Sequence, residues 1–359
     1  MEHVFIIAEA GVNHNGSAEL ARKLVLVAAE AGADAVKFQT FKSERVVTNS
    51  AGKAGYQKIT TGSKESQLEM LRKLELPVEL HLELRDLCKQ NGIEFLSTPF
   101  DEESMEFLVS ICGMTRLKIP SGEITNPLIL LQAARTGLPL ILSTGMATLG
   151  EVETALGILA FGLTTQKNPP SQMAFSQAFF SVSGQQALRD RVTLLHCTTE
   201  YPTLFDEVNL RAMDSLRQAF GLPVGLSDHT PGISIPIASA AREAVVVEKH
   251  FTLDRNLPGP DHLASLEPKE LRAMVEGIRA VESALGSGVK LPTPVELENR
   301  LVARRSLVTL RPVARGEMFT AENLCCKRPG SGVSALFYWE YLGRISHRDY
   351  GVDELVEAS

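Results

Sequence analysis

Eight short apolar runs recur along the chain, at residues 4–11, 35–40, 94–100, 117–123, 140–145, 193–200, 224–229 and 245–251, and each ends in polar or ionisable side chains. Stretches of helical period lie between them. In 18–31, Leu20, Leu24, Val25, Val27 and Ala28 form one stripe behind Ser17, which suits an N-cap, and Gly32 suits the C-cap. Eight strand-then-helix units predict an α/β fold of the closed (β/α)8 TIM-barrel type. In such barrels the carboxyl ends of the strands carry the active site.

The connections add detail. The segment 41–66 is long and rich in Lys, Gly, Ser and Thr, the composition of a loop that covers a barrel mouth. A helix is expected over 67–91, with a break at Pro77. The stretch 161–190 exceeds an ordinary helix-to-strand connection and reads as an insertion on the side opposite the active site. Past a closing helix the pattern changes to short β-like runs at 306–310 and 324–327, with tight turns at Arg315-Gly316 and Pro329-Gly330. The expected organisation is a barrel over 1–286, a linker over 287–300 and a small β-rich module over 301–359.

Length agrees with this, since 359 residues exceed one ordinary domain but fit a barrel of about 250 plus a small module. The formal charge of −7 gives no reason to expect nucleic acid or an anionic membrane as partner. Five cysteines in no metal-ligand spacing read as reduced thiols. The start, Met1-Glu2-His3 and then an apolar run broken at Glu9, has no basic leader, and no window of about eighteen residues is apolar throughout. The expectation is a cytoplasmic protein without a membrane span.

The strand ends hold the candidate chemistry. His229 and His250 end consecutive strands, which lie about 4.8 Å apart, so two imidazoles can share one divalent ion and leave positions open for substrate oxygens. Lys37 and Lys118 sit within strands, where an unpaired ammonium is costly, so each needs either a carboxylate of the chain or a bound phosphate or carboxylate. Ser121, Ser143 and Thr144 lie beside glycines and can donate to an oxyanion. Glu9, Glu123 and Asp261 are candidate acid–base or hydroxyl-binding carboxylates. His14, His196 and Tyr201 are further candidates, whereas Cys197, within a strand, reads as a packed thiol.

In order, the chain carries Ile7-Ala-Glu-Ala-Gly-Val-Asn-His-Asn-Gly16, Val36-Lys-Phe-Gln39, Leu96-Ser-Thr-Pro-Phe100, Lys118-Ile-Pro-Ser-Gly-Glu123, Leu142-Ser-Thr-Gly-Met146, Leu195-His-Cys-Thr198, Leu226-Ser-Asp-His-Thr230, Glu248-Lys-His-Phe251 and Pro258-Gly-Pro-Asp261. With these motifs it resembles the sialic acid synthases, which include N-acetylneuraminate, legionaminate and pseudaminate synthases. Val313-Ala-Arg-Gly-Glu317 and Lys327-Arg-Pro-Gly-Ser-Gly332 resemble the family's antifreeze-like (SAF) module. The resemblance implies condensation of phosphoenolpyruvate with an open-chain 2-acetamido sugar, either N-acetylmannosamine or 2,4-diacetamido-2,4,6-trideoxymannose. It implies Mn2+ or Mg2+ on His229 and His250. Lys37, Thr98, Lys118, Ser121 and Ser143 would bind phosphoenolpyruvate, while Glu9, Gln39, Glu123, Tyr201 and Asp261 would line the sugar side. It also implies a domain-swapped homodimer in which Arg328 of one subunit reaches the sugar's acetamido group in the other.

Two departures stand out. The 161–190 stretch is longer than the family usually carries, and an Asn that some members place on the substrate has no match after strand 2. The residues Lys53-Ala-Gly-Tyr-Gln57 and Glu65-Ser-Gln-Leu-Glu-Met70 resemble the legionaminate branch. Pseudaminate synthases and the seven- or eight-carbon sugar-acid synthases are the alternatives among enzymes. The C-terminal module and the full-length run of motifs argue against the latter. A non-catalytic carbohydrate binder would not need the two histidines and two strand-borne lysines.

Overall fold

The computed structural model describes residues 3–62, 65–165 and 169–358. Residues 63–64 of the strand-2 loop and 166–168 of the expected insertion lie outside the described residues, as do 1–2 and 359 at the ends of the two expected domains. The chain divides into two compact units, Met1–Gly286 and Ser287–Ser359.

The first unit holds β1 (Phe5–Gly11), β2 (Ala35–Thr40), β3 (Glu94–Pro99), β4 (Leu117–Ile119), β5 (Leu140–Ser143), β6 (Val192–His196), β7 (Val224–Asp228) and β8 (Val246–His250). All their ladders are parallel, and β1 pairs with both β2 and β8. The hydrogen-bonded order ends at β3 and β4, so the sheet is nearly closed into a barrel. From β3 to β8 each strand stops short of the end of its apolar run, because the polar residues that end these runs bend away as mouth loops. In the fourth run, 117–123, only three residues are strand and Ser121–Glu123 form a 3-10 turn.

Helix α1 (Ala18–Glu30) follows from its pattern. Ser17 accepts a hydrogen bond from the Leu20 amide, and Ala21, Leu24, Val25 and Ala28 are buried at helical spacing. The strand-2 loop carries short helices α2 (Ser43–Val46) and α3 (Gly55–Thr61). The helical stretch over 67–91 is broken at Pro77 as expected, into α4 (Gln67–Arg72) and α5 (Val78–Gln90), with Pro77 in extended backbone just before the second. Helices α6 (Glu102–Ser110) and α7 (Pro127–Arg135) continue the alternation.

The described residues of the 161–190 stretch are mostly helical. Helix α8 (Leu149–Thr164) is apolar almost all round, so its outer face must be covered. Helix α9 (Gln172–Phe180) covers it, with Phe175 meeting Phe161 at 5.3 Å between ring centres, and α10 (Val182–Arg191) leads directly into β6. Gly157 permits this contact, since a Cβ there would lie 3.2 Å from the Phe175 carbonyl oxygen. Helices α11 (Ala212–Phe220), α12 (Ser234–Ala241) and α13 (Pro268–Leu285) complete the unit.

The second unit contains a helix where a linker over 287–300 is expected. Thr293 caps α14 (Pro294–Ala303), Pro294 opens it and Glu296 closes a capping box. Strands β9 (Ser306–Thr309) and β10 (Leu324–Lys327) are antiparallel, and α15 (Tyr338–Tyr341) follows. Leu307, Val313, Phe319, Leu324, Tyr341, Tyr350 and Val356 form this unit's own core. Among the described residues, no helix is long and apolar enough to cross a membrane.

One buried polar position lies in the loop after β1. His14 is fully buried and its Nδ1 accepts the Gly16 amide hydrogen at 2.9 Å. Burial lowers its pKa from 6.5 to about 4. Between those values the native state binds fewer protons than the unfolded chain. The His14 contribution is therefore fully present above pH 6.5 and is lost as pH falls towards 4, by roughly 3 kcal/mol. His14→Asn, which retains an acceptor for Gly16, should flatten the acid limb of stability by about that amount in urea titrations between pH 6.5 and 4. An unchanged slope would contradict a neutral, buried His14.

Candidate active site

One cavity of about 290 Å³ opens at the carboxyl ends of the strands, lined by residues from all eight strand ends or the loops after them. Strand alternation decides which side chains enter it. Along β8, Glu248 and His250 point inward, while Lys249 points outward and is buried against Asp228 at 2.5 Å.

Glu248 is the centre of the charge arrangement. Its carboxylate lies 3.6 Å from Lys37 Nζ and 3.4 Å from Lys118 Nζ, and it accepts a 2.8 Å hydrogen bond from the Ser227 hydroxyl. Lys37 also contacts Glu9 at 2.8 Å and donates to Thr98 Oγ1 at 2.8 Å. Gln39 donates to Glu9 at 3.4 Å. All four charged groups are buried. Burial works against the Glu248 charge, but the two ammonium groups outweigh it and hold that carboxyl below its ordinary range. Burial also pushes Glu9 up to about 7, only partly offset by Lys37. Lys118 is pulled below its ordinary value by burial, which Glu248 does not fully offset. The site thus holds one firmly ionised carboxylate and one that carries a proton near neutrality.

A polar cradle lies beside Lys118. Ser121 Oγ accepts the Gly145 amide hydrogen at 3.0 Å and sits 3.1 Å from Cys197 Sγ. Among the described residues the buried Ser143 hydroxyl has no hydrogen-bond partner. Opposite, Tyr201 stacks on His229 at 4.1 Å between ring centres and meets His250 edge-on at 5.5 Å. The two imidazole centres are 5.5 Å apart. Burial lowers the His229 pKa to about 4, and burial together with His229 and Lys37 takes His250 well below its ordinary value, so both rings are neutral. His229 Nδ1 donates to the Thr198 carbonyl at 2.6 Å, which leaves Nε2 with a lone pair. His250 Nδ1 is buried, has no hydrogen-bond partner among the described residues and lies 3.9 Å from Asp261. Burial raises Asp261 to about 6. The His229 Nε2, 3.5 Å from the Ser227 hydroxyl, and the His250 Nδ1 beside Asp261 fit a divalent cation. Among the described residues no cluster of three or more His, Cys, Asp or Glu stands ready as a metal site, so further ligands would have to come from substrate or water.

The sequence profile of the NeuB family matches residues 24–290. The chain belongs to the NeuB family. It is 49% identical over 356 residues to the N,N'-diacetyllegionaminic acid synthase of Campylobacter jejuni, covering 99% of each chain. Identity is 47% over 330 residues to the synthase of the same name from Legionella pneumophila, covering 92% of this chain and 86% of that one. Among solved structures, the N-acetylneuraminic acid synthetase of Leptospira borgpetersenii in complex with citrate superposes with a TM-score of 0.66 at 33% identity, covering 83% of this chain and 90% of that one.

Within this member of the family, Glu9, Lys37, Gln39, Thr98, Lys118, Ser121, Ser143, Tyr201, His229, His250 and Asp261 line the one cavity. Glu123 does not; it is half-buried on the 3-10 turn and accepts from Asn126 at 2.6 Å. Arg328 belongs to the second unit, is exposed, and donates to the Ala303 carbonyl at 2.9 Å. His196 bonds the Val208 carbonyl and Thr144 the Leu195 carbonyl, both structural contacts. Cys197 lies one residue past the end of β6 rather than within it; it is buried, as expected of a packed thiol, and is among the residues that line the cavity. Sequence reasoning missed Glu248. The signal was available, since a residue two before His250 on a strand must share its face.

Proposed function

We propose that the chain condenses phosphoenolpyruvate with an open-chain 2-acetamido sugar aldehyde, giving a nonulosonic acid and phosphate. The acceptor we favour is 2,4-diacetamido-2,4,6-trideoxymannose and the product N,N'-diacetyllegionaminate. The observation that carries this reading is the joint presence, in one cavity, of two buried lysines, an unpartnered serine hydroxyl and two neutral imidazoles. The 49% and 47% identities to legionaminic acid synthases support the choice of acceptor.

In this mechanism Lys37 and Lys118, with Thr98, Ser121 and Ser143, hold the phosphate and carboxylate of phosphoenolpyruvate. An arriving anion would favour the ammonium form of Lys118, which burial works against. Carbon 3 attacks the aldehyde carbon, whose oxygen takes a proton and becomes an alcohol. Water then adds at carbon 2, and loss of phosphate leaves the 2-keto acid. Glu9, raised to about 7, can hold or give the proton at neutral pH, and Asp261 can do so or orient a sugar hydroxyl. Gln39 and Tyr201 complete the sugar side. His229 Nε2 and His250 Nδ1 would hold Mn2+ or Mg2+, which when bound supplies Lewis-acid polarisation of the aldehyde oxygen.

The same reading treats the C-terminal unit as an antifreeze-like (SAF) module. Its exposed Arg328 would serve the partner subunit's mouth in a swapped homodimer, and the cytoplasm would be the site of action. The resemblance of its motifs supports this part.

The cradle around Ser121 gives a direct check. A Cβ at residue 145 would lie 2.8 Å from Ser121 Oγ, 2.5 Å from Thr199 Oγ1 and 2.9 Å from Cys197 Sγ. Gly145→Ala should therefore displace Ser121 and raise the KM for phosphoenolpyruvate roughly 10- to 100-fold. An unchanged KM would remove Ser121 from the anion site.

The proposal as a whole is tested by phosphate release from phosphoenolpyruvate with Mn2+, comparing the diacetamido sugar with N-acetylmannosamine. Sugar-dependent release that prefers the first supports it. Preference for the second would make N-acetylneuraminate the product, and release with neither would overturn the reaction.

A further inference from the structure

One side of the cavity is apolar and has no part in the chemistry described above. Val12, Phe41, Met70 and Leu74 form a buried cluster above the ends of β1, β2 and β3, edged by Val46 and Phe100, and all six line the cavity. The histidines stand at the ends of β7 and β8, and the serine cradle follows β4 and β5. An acceptor whose aldehyde lies near the histidines and Glu9 has this wall within reach of its far end.

Two neutral amides interrupt the wall. Gln57 and Gln67 are half-buried and line the cavity. The Gln57 side-chain oxygen accepts the Ala54 amide hydrogen at 3.0 Å, while the Gln67 amide has no hydrogen-bond partner among the described residues. The nearby cation is withdrawn from ligand. Lys53 is buried and donates to Thr61 Oγ1 at 2.9 Å, the Gly62 carbonyl at 3.1 Å and Glu65 at 3.0 Å. Thr61 in turn bonds Met70 Sδ at 3.6 Å. These contacts fix the loop, so the wall is formed before substrate arrives.

We propose that this wall and the two glutamines are a specificity subsite for the distal half of the acceptor, a 4-acylamino-4,6-dideoxy aldose. The terminal methyl packs against Val46, Met70 and Leu74. The second acylamino group exchanges hydrogen bonds with Gln57 and Gln67. A hydroxyl at the sugar's last carbon would give up water here without gaining a partner, whereas a methyl group gains by leaving water. The inference rests on the reading of the cavity as a site of sugar-aldehyde condensation.

The test is the ratio of kcat/KM for 2,4-diacetamido-2,4,6-trideoxymannose over that for N-acetylmannosamine, in the full chain and in two variants. Val46→Thr keeps the side-chain shape and adds a hydroxyl; Gln67→Ala removes the unpartnered amide. Each should lower the ratio by about ten-fold, chiefly through the KM of the diacetamido sugar. Stabilisation of each variant by phosphoenolpyruvate, read as a melting shift equal to that of the parent chain, shows that the fold and anion site survive. If one variant does not fold, the other decides. A ratio within two-fold of the parent in the folded variants overturns the subsite and leaves the condensation reading standing. A parent chain that prefers N-acetylmannosamine also overturns the subsite. Turnover of neither sugar overturns the underlying reading as well.

Discussion

Glu248→Ala is expected to lower the unfolding free energy at pH 7 by about 3–5 kcal/mol, because it leaves buried ammonium charge uncompensated. Lys37 keeps Glu9 at 2.8 Å, but Lys118 loses the carboxylate that stands 3.4 Å away. The cost should therefore fall mainly on Lys118, and Lys118→Met in the Glu248→Ala background should recover a substantial part of it. Urea denaturation of the two variants measures both values. A loss below 1 kcal/mol for Glu248→Ala would mean that the lysines are not held as charged, buried partners. Condensation should be undetectable in both variants, since the lysine geometry that binds the anion depends on Glu248.

His250→Ala is expected to abolish metal-dependent turnover while leaving the fold intact. Loss of an outer partner of a metal ligand typically costs 10- to 100-fold in affinity or activity, so loss of the ligand itself should exceed about 100-fold. The fold should persist, because His250 Nδ1 makes no hydrogen bond that the variant would break. Mn2+ binding to the resting protein, read from the free-ion electron paramagnetic resonance signal, separates this from a loss of sugar contacts. Unchanged Mn2+ affinity or full activity would remove the ion from the two histidines.

The sequence made the barrel legible because each of its eight runs ends in chemistry and each intervening segment carries helical period. The same alternation brought Lys37, Lys118, His229 and His250 forward, as ionisable groups inside or at the end of apolar strands. It fell short where a partner lies far away in the chain. Glu248 is 211 positions from Lys37, and only ring closure of β8 onto β1 brings the two together. Cys197 was placed within a strand, but β6 stops one residue before it, at His196. Helix α9 was hidden because its role is to cover an already apolar helix, a tertiary demand with little periodic signature of its own. The α14 cap was legible in Thr293-Pro294 with Glu296 and was passed over for the glycines and prolines just before it. The apolar wall over β1–β3 was invisible for another reason, since Val12, Phe41, Met70 and Leu74 come from separate segments and look like ordinary core residues.

The most direct test of the central claim is the fate of carbon 3 of phosphoenolpyruvate. With the 13C label at that carbon, Mn2+ and the diacetamido sugar, the account predicts a product methylene signal coupled to the former aldehyde carbon, with one phosphate released per sugar consumed. Label recovered as the methyl group of pyruvate, with the sugar unchanged, would show hydrolysis without carbon–carbon bond formation and would contradict it.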